Sequence, residues 1–188
     1  MRKLIAHAHI SLDGFAAGPN GELHWVLVDE EIFNYTAQLT NQADAAIYGR
    51  VTYQIMDGYW PTAAEQPNAT KHDKEHAAWY GMVEKYVLSN TVTQVKPKTT
   101  VLNGDIAAKI TLLKSMPGKD IILFGSPSTA QALMRMNLVD ELCLLVNPIL
   151  LGKGMPYFKD IGEQKRLRLI ESHVFSSGVT EVHYHILD

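Results

Sequence analysis

The chain of 188 residues has one cysteine, no block of like charges and no apolar run near the ~18–20 residues of a membrane span. Cys143 alone excludes a disulfide framework within the chain, which favours a reducing compartment. Its place in the apolar run ELCLLVNPILL predicts a core residue. The net charge of −3 lacks the basic excess of nucleic-acid-binding proteins. The apolar stretch at the N-terminus is short and interrupted by His7 and His9, unlike a signal peptide, so we expect a cytoplasmic protein.

The composition is that of a globular protein, with 46% hydrophobic and 20% charged residues. The length predicts one domain over residues 1–188. No G-x-G-x-x-G dinucleotide-binding fingerprint is present.

Strand and helix patterns alternate through the first three-quarters of the chain. The predicted strands are 3–10, 44–49, 84–89, 99–104, 119–125, 140–151, 165–178 and 179–187. The predicted helices are 29–42, 49–56, 70–80, 105–116 and 126–137, and residues 57–80 are expected to leave the core. This alternation predicts a three-layer α/β/α fold, in which a mostly parallel sheet of about eight strands ends in antiparallel C-terminal edge strands.

The segment IILFGSPST raises the first functional question, because an apolar strand ends abruptly in glycine and hydroxyl residues. Gly125 allows close backbone approach, and Ser126 is predicted to N-cap a helix that has Pro127 at its first position. Ser128 and Thr129 add hydroxyl groups in the first turn. A helix N-terminus of this kind suits phosphate, although an ordinary capped helix explains the segment equally well.

Two further strand ends carry groups of the same chemistry. Gly49 follows the strand AAIY and precedes Arg50 and Thr52, which supply a guanidinium and a hydroxyl group. Ser89 and Asn90 follow the strand KYVL. Because ligands bind at the carboxyl ends of strands in open α/β sheets, the three ends together predict a bound dinucleotide.

Six segments occur in the order and approximate spacing of a known family: ISLDGF, IYGRVTY, YVLSNT, ILFGSPST, LVDEL and NPILLGKGMPYF. From about residue 3 to residue 184 the chain resembles the dihydrofolate-reductase-like superfamily. It is most similar to the reductase domain of bacterial riboflavin biosynthesis, the RibD C-terminal domain, and to the small stand-alone relatives of that domain. Gly125-Ser126 matches this branch, whereas dihydrofolate reductases usually have Gly-Gly.

The resemblance implies a dihydrofolate-reductase-like fold and NADPH as the hydride donor. It places cofactor phosphate at Gly49, Arg50 and Thr52, with Arg50 near the 2′-phosphate. The residues implied around the adenosine ribose are Leu88, Ser89 and Asn90, and those implied around the pyrophosphate are Gly125, Ser126, Ser128 and Thr129.

The implied reaction is reduction of a C=N or C=O bond, with the protein orienting the cofactor. Asp13 is the candidate for the polar residue nearest the reacting centre, although an Asp-Gly turn explains it equally well. Trp25, Glu30 and Trp60 are the candidate substrate residues; core packing of the tryptophans, or a solvated first-turn acid, are the alternatives.

The substrate implied by the resemblance is 5-amino-6-(5-phosphoribosylamino)uracil or a related pterin- or pyrimidine-like ring. The substrate loops contain few basic residues for a phosphate. The alternatives are dihydrofolate reductase activity and a non-catalytic, dimeric NADPH-binding module. A homodimer is expected in each case, since the strand ELCLLVNPILL and the C-terminal hairpin offer an edge for pairing.

Histidines form three further patterns, and no metal is expected at any of them. His72–His76 reads H-x-x-E-H, the inverted zinc-protease motif, without a clear third ligand. The pairs His7/His9 and His183/His185 each lie on one face of a predicted strand. Four histidines would cluster only if the first and last strands were neighbours.

Overall fold

The structure, a computed structural model, describes residues 1–187. Its strands are β1 Leu4–Ser11, β2 Phe15–Ala17, β3 Ala43–Gly49, β4 Glu84–Leu88, β5 Thr99–Leu102, β6 Asp120–Phe124, β7 Glu141–Asn147, β8 Met155–Pro156, β9 Arg166–Val174 and β10 Thr180–Leu187. Its helices are α1 Glu30–Asn41, α2 Arg50–Ala63, α3 Lys71–Met82, α4 Ile106–Ser115 and α5 Pro127–Arg135. Among the described residues, no helix combines the length and apolar character needed to span a membrane.

Eight strands form one sheet in the order β5-β4-β3-β6-β1-β7-β10-β9. The first six of these strands are parallel, and β10 and β9 are antiparallel to their neighbours. The predicted fold class is therefore confirmed. The short strands β2 and β8, which the sequence did not predict, pair with each other outside this sheet.

The two faces of the sheet are covered by different helices, because successive side chains of each strand point to opposite sides. Leu4 and Ala6 of β1 pack in one buried cluster with Ile110 of α4 and Leu133 of α5. Ile5 lies in a second cluster, which receives residues of α1, α2 and α3 at Leu39, Tyr53 and Tyr80. Helices α4 and α5 thus cover one face, and α1 to α3 the other.

Helix α2 is longer than the sequence predicted, because it continues through Pro61 to Ala63. A proline removes the N–H that would bond to the carbonyl four residues earlier, here that of Asp57. The Lys96 ammonium lies 3.4 Å from that carbonyl and 3.1 Å from the Asp57 carboxylate. This long-range partner compensates the missing bond. Ala63, His76 and Tyr80 are buried, so the prediction that residues 57–80 leave the core was wrong for the end of α2 and for α3.

Strand β7 ends at Asn147, four residues before the predicted end of the strand. Pro148 cannot donate to a ladder. The Asn147 side chain instead accepts from the Leu27 N–H at 2.8 Å and donates to the Leu145 carbonyl at 3.1 Å. Asn147 therefore holds the loop before α1 against the carboxyl end of the sheet.

Candidate active site at the carboxyl edge of the sheet

Three neighbouring parallel strands, β4, β3 and β6, end side by side. Gly49 at the end of β3 lies opposite Leu88 at the end of β4. The Gly49 N–H donates a hydrogen bond of 2.9 Å to the Ser126 hydroxyl, just beyond β6. Two turns that are 77 residues apart in sequence therefore meet directly.

The turn between β6 and α5 is made by two consecutive left-handed residues. Gly125 has φ of +49° and Ser126 has φ of +48°, and Pro127 follows at the first helical position. Ser126 occupies the N-cap position, but its side chain makes no bond to the helix and accepts from Gly49 instead. The prediction that the Ser126 hydroxyl caps α5 was therefore wrong, and a left-handed serine costs about 1–3 kcal/mol of strain.

Helices α2 and α5 differ from the other three helices at their N-termini. Asp29, Thr70 and Asp105 each cap a helix by accepting a backbone N–H of its first turn. The caps of α2 and α5, Gly49 and Ser126, provide no such bond. The positive ends of two helix dipoles and their first-turn N–H groups thus meet at the carboxyl edge without a side-chain acceptor, an arrangement that binds anions.

Close backbone approach makes glycine necessary at position 49. A Cβ atom there would lie 2.6 Å from the Thr129 hydroxyl oxygen and 3.5 Å from the Ser126 side chain. A Cβ atom at Gly125 would lie 3.9 Å from the Thr52 methyl group. Five of the residues predicted from sequence to bind cofactor therefore form one contact group.

A cavity of about 250 Å³ opens beside this group. It is lined by Leu88, Ser89, Asn90, Leu102, Gly104, Ile106, Ser128, Thr129 and Ala132. The structure thus brings the remaining predicted residues of β4 and α5 together. Sequence reasoning missed the lining between β5 and α4, although TTVLNGD shows the same strand–glycine–helix pattern as the other two turns.

Two predicted cofactor residues have distinct local roles in this structure. The Ser89 hydroxyl accepts the N–H groups of Thr91 and Val92 at 3.0 and 3.1 Å, which shapes the turn after β4. Arg50 is exposed at the start of α2, and its guanidinium donates to the Gln54 side chain at 3.1 Å. The Arg50 charge faces solvent beside the uncapped helix ends.

A second cavity, of about 270 Å³, lies between the first turns of α1 and α3. It is lined by Glu30, Phe33, Asn34, Thr70, Lys71, His72 and Glu75. The start of α1 is held at the carboxyl edge by the bond between Leu27 and Asn147. The second cavity therefore lies near the same edge as the first, on the face covered by α1 to α3.

A chain of rings leads from this second cavity into the core. Phe33 stacks on His72 with centroids 3.8 Å apart, and His72 lies 5.4 Å from His76. His76 contacts Trp60 at 4.1 Å and reaches Phe124, at the end of β6, at 6.2 Å. Trp60 does not line the cavity. It packs against His72, which lines the cavity, and against His76, which does not.

The buried histidines His7 and His76 and the partly buried His9, all on this face, are held neutral near pH 7. Burial lowers the pKa of His7 to about 4 and the pKa values of His9 and His76 to about 3. The His76 Nε2 atom is buried without a hydrogen-bond partner among the described residues. The ring chain behind the second cavity therefore carries no charge at His76 near pH 7.

Asp13 acts as a hydrogen-bond acceptor at the end of β1. Its carboxylate accepts from the Ser11 hydroxyl at 2.6 Å and from the N–H groups of Leu151 and Gly152 at 3.1 and 2.8 Å. The bond from Ser11 is the main reason that its pKa is lowered. Asp13 therefore fastens the loop after β7, and an ionised carboxylate of this kind suits orientation better than proton donation.

Trp25 is buried in the loop before α1, and its ring N–H donates to the Glu22 carbonyl at 3.0 Å. Neither cavity is lined by Trp25 or by Asp13. Of the three predicted substrate residues, Glu30 lines one of these two cavities, and Trp25 and Trp60 line neither.

The first and last strands are not neighbours, because β7 lies between β1 and β10. His7 and His183 each lie opposite Cys143, on its two sides. The condition for a cluster of four histidines, that the first and last strands are neighbours, is therefore not met.

A family model described as the RibD C-terminal domain matches residues 2–180. The uncharacterized protein YyaP of Bacillus subtilis (strain 168) is 34% identical over 184 residues, covering 98% of this chain and 95% of YyaP. A solved structure of a proposed riboflavin biosynthesis protein from Shewanella sp. PV-4 has a TM-score of 0.77 at 24% identity and covers 99% of both chains. The diaminohydroxyphosphoribosylaminopyrimidine deaminase/5-amino-6-(5-phosphoribosylamino)uracil reductase of Thermotoga maritima has a TM-score of 0.67 at 13% identity, covering 99% of this chain and 57% of that chain. Both structural likenesses concern the fold.

Proposed function

The chain belongs to the RibD C-terminal domain family, and on that premise we propose that it is an NADPH-dependent reductase of a flat, pterin- or pyrimidine-like substrate. The observation that carries the proposal is the meeting of two uncapped helix N-termini, those of α2 and α5, at the carboxyl edge. NADPH supplies a hydride when it is bound. The protein supplies binding, orientation and shielding from water.

The pyrophosphate site is proposed at the start of α5. Gly125 and Ser126 turn the backbone so that the first-turn N–H groups of α5 face the carboxyl edge. Ser128 and Thr129 add hydroxyl groups beside them and also line the first cavity. Gly49 leaves room for this arrangement, since any side chain there would meet Thr129.

The adenosine part is proposed to lie along the first cavity. Leu88 and Asn90 from the end of β4 offer an apolar surface and an amide for the ribose. Arg50 stands at the first position of α2, next to Thr52, with its guanidinium exposed. A fork of N–H donors at this position suits the 2′-phosphate that distinguishes NADPH from NADH.

The substrate is proposed to enter the second cavity, where Glu30, Asn34 and the stacked pair Phe33–His72 offer hydrogen bonds and a flat surface. The single lysine of this cavity, Lys71, lies 3.8 Å from Glu75. The carboxylates Glu30 and Glu75 outnumber this one ammonium in the cavity lining, which favours an uncharged heteroaromatic ring over one that carries a phosphate. Asp13 is proposed to orient the loop at the reacting centre.

The proposal is tested by titrating the protein with NADPH and NADH through tryptophan fluorescence, followed by turnover assays with pterins and aminopyrimidines. Saturable NADPH binding with consumption of NADPH by one of these rings is expected. NADPH binding without turnover on any ring would favour a non-catalytic module. Absence of binding by either nucleotide would contradict the proposed cofactor site.

Replacing Arg50 with alanine is expected to weaken NADPH binding by about 10–100-fold and to leave NADH binding unchanged. Charge-assisted hydrogen bonds are worth about 1.5–3 kcal/mol, and 1.4 kcal/mol corresponds to a factor of ten. The measurement is the ratio of the two dissociation constants. The matched control is Arg135→Ala, since Arg135 is exposed at the far end of α5 and bonds the Asp160 carbonyl. An equal loss for both nucleotides would contradict the assignment.

The prediction that the strand ELCLLVNPILL offers an edge for pairing was wrong, because β7 lies inside the sheet between β1 and β10. A homodimer is proposed through β9, the edge strand of the large sheet. All nine residues of β9 are exposed, among them Leu167, Leu169 and Ile170. Pairing with the β9 strand of a second copy would satisfy its free backbone groups. Sedimentation equilibrium is expected to give twice the mass of one chain, and Ile170→Lys is expected to shift the protein toward monomers. A monomeric native protein at micromolar concentration would contradict this interface.

A further inference from the structure

A buried cluster of metal-ligating side chains lies on β7 and β10, away from both cavities. Cys143 and His183 are directly opposite each other across the two strands, and Glu181 lies two residues before His183 on the same face. All three residues are buried. One ligand atom from each lies within 4.8 Å of the others.

The cluster is incompletely satisfied as it stands. The Cys143 thiol lies 3.8 Å from one carboxylate oxygen of Glu181, and the other oxygen is buried without a partner among the described residues. A buried polar atom without a partner destabilises the fold, so the second Glu181 oxygen is free to bind a further ligand.

Neighbouring residues hold the histidine as metal-bound histidines are held. The His183 Nε2 atom lies 2.9 Å from the Glu141 carboxylate, and Glu141 also pairs with the Lys3 ammonium at 2.7 Å. Metal-ligating histidines almost always use their second nitrogen in this way. The arrangement fixes the ring and leaves Nδ1 for another partner.

A fourth side chain is within reach of this site. Glu171 on β9 lies opposite His183, and its carboxylate is 3.7 Å from the His183 Nδ1 atom. The Tyr35 hydroxyl of α1 donates to Glu171 at 3.3 Å and lies 3.8 Å from the Cys143 sulfur. The site therefore has carboxylates on two sides and a cover from α1.

We propose that Cys143, Glu181 and His183 bind a divalent transition metal, with Zn²⁺ as the best match and Glu171 as the fourth ligand. Thiolate, imidazole and carboxylate are the donors that Zn²⁺ takes in four-coordinate sites. Binding releases the thiol proton of Cys143 to solvent, since the thiolate is the ligand. The metal would join β7 to the antiparallel edge strands. This site is independent of the proposed reductase activity.

The test is a titration of the full-length, chelator-treated protein with Co²⁺, a spectroscopic substitute for Zn²⁺. A stoichiometry of one ion per chain is expected, with a sulfur-to-cobalt charge-transfer band that added Zn²⁺ removes. Cys143→Ser is expected to abolish the band. Glu141→Gln is expected to keep the band and weaken binding by about 10–100-fold, as for the loss of a carboxylate that positions a ligating histidine.

Two further variants keep the result interpretable. Glu181→Gln has nearly the same shape, and circular dichroism shows whether it folds; if it is folded, it is expected to lose metal affinity as Cys143→Ser does. His72→Gln is the matched control, because it disrupts the H-x-x-E-H motif and His72 is not among the clustered side chains, and it is expected to bind Co²⁺ normally. Absence of binding, binding without the sulfur band, or loss of binding in His72→Gln alone would each overturn the proposal.

Discussion

Replacing Asp140 with alanine is expected to lower the free energy of unfolding by about 3–5 kcal/mol, since it leaves a buried charge unpaired. The Lys114 ammonium is buried at the end of α4 and lies 2.6 Å from the Asp140 carboxylate. It also donates to the Leu138 carbonyl at 3.0 Å. The same carboxylate accepts the Leu4 N–H at 2.7 Å, so its removal also loosens the start of β1. Equilibrium unfolding in urea measures the loss.

The matched variants are Lys114→Met and the double variant Lys114→Met/Asp140→Ala. Lys114→Met is expected to destabilise less than Asp140→Ala, because it removes the buried charge while Asp140 keeps its bond to Leu4. The double variant is expected to be more stable than Asp140→Ala alone, since no unpaired ammonium remains. A double variant as unstable as the sum of both single variants would show that the two side chains act independently.

Lowering the pH from 7 to 5 is expected to reduce the free energy of unfolding by about 6 kcal/mol through His7, His9 and His76. In the folded protein the pKa is about 4 for His7 and about 3 for His9 and His76, and in the unfolded chain it is near 6.5 for each. The unfolded chain therefore binds protons first as the pH falls, and stability is lost from pH 6.5 downward. Each histidine lowers the free energy of unfolding by about 2 kcal/mol at pH 5, because the loss is 1.36 kcal/mol for each pH unit below 6.5.

His76→Phe isolates the contribution of one of these groups. Phenylalanine keeps a flat ring against Trp60 and removes the Nε2 atom that lacks a partner. The variant is expected to lose about 2 kcal/mol less than the native protein between pH 7 and pH 5. Urea unfolding of the native protein and of the variant at pH 7 and pH 5 gives the loss of unfolding free energy for each. An unchanged pH dependence in His76→Phe would show that this histidine is not held neutral.

The sheet and the convergence of the two glycine turns could be predicted because they follow from local patterns. Periodicity identifies strands and helices, and parallel strands bring their carboxyl ends to one edge. Gly49 and Ser126 were thus expected on the same edge. The bond between them was not expected, because a serine at a helix start has a local acceptor role that only a distant partner overrides.

The features that the sequence did not predict depend on contacts between residues far apart in the chain. The burial of Cys143 was predicted, but its position beside Glu181 and His183 depends on the register of β7 against β10. A change of register by one residue would send Glu181 and His183 to the other face of the sheet and leave Cys143 where it is. The continuation of α2 through Pro61 likewise depends on Lys96, which no local pattern indicates.

The position of β1 has a consequence for how the chain folds. Both neighbours of β1 in the sheet, β6 and β7, begin more than a hundred residues later, at Asp120 and Glu141. A ribosome-bound chain that has emerged only as far as α4 holds an apolar first strand with no partner. Such long sequence separations slow folding and expose the strand to aggregation. We therefore expect the nascent chain to depend on chaperones until β6 inserts between β3 and β1.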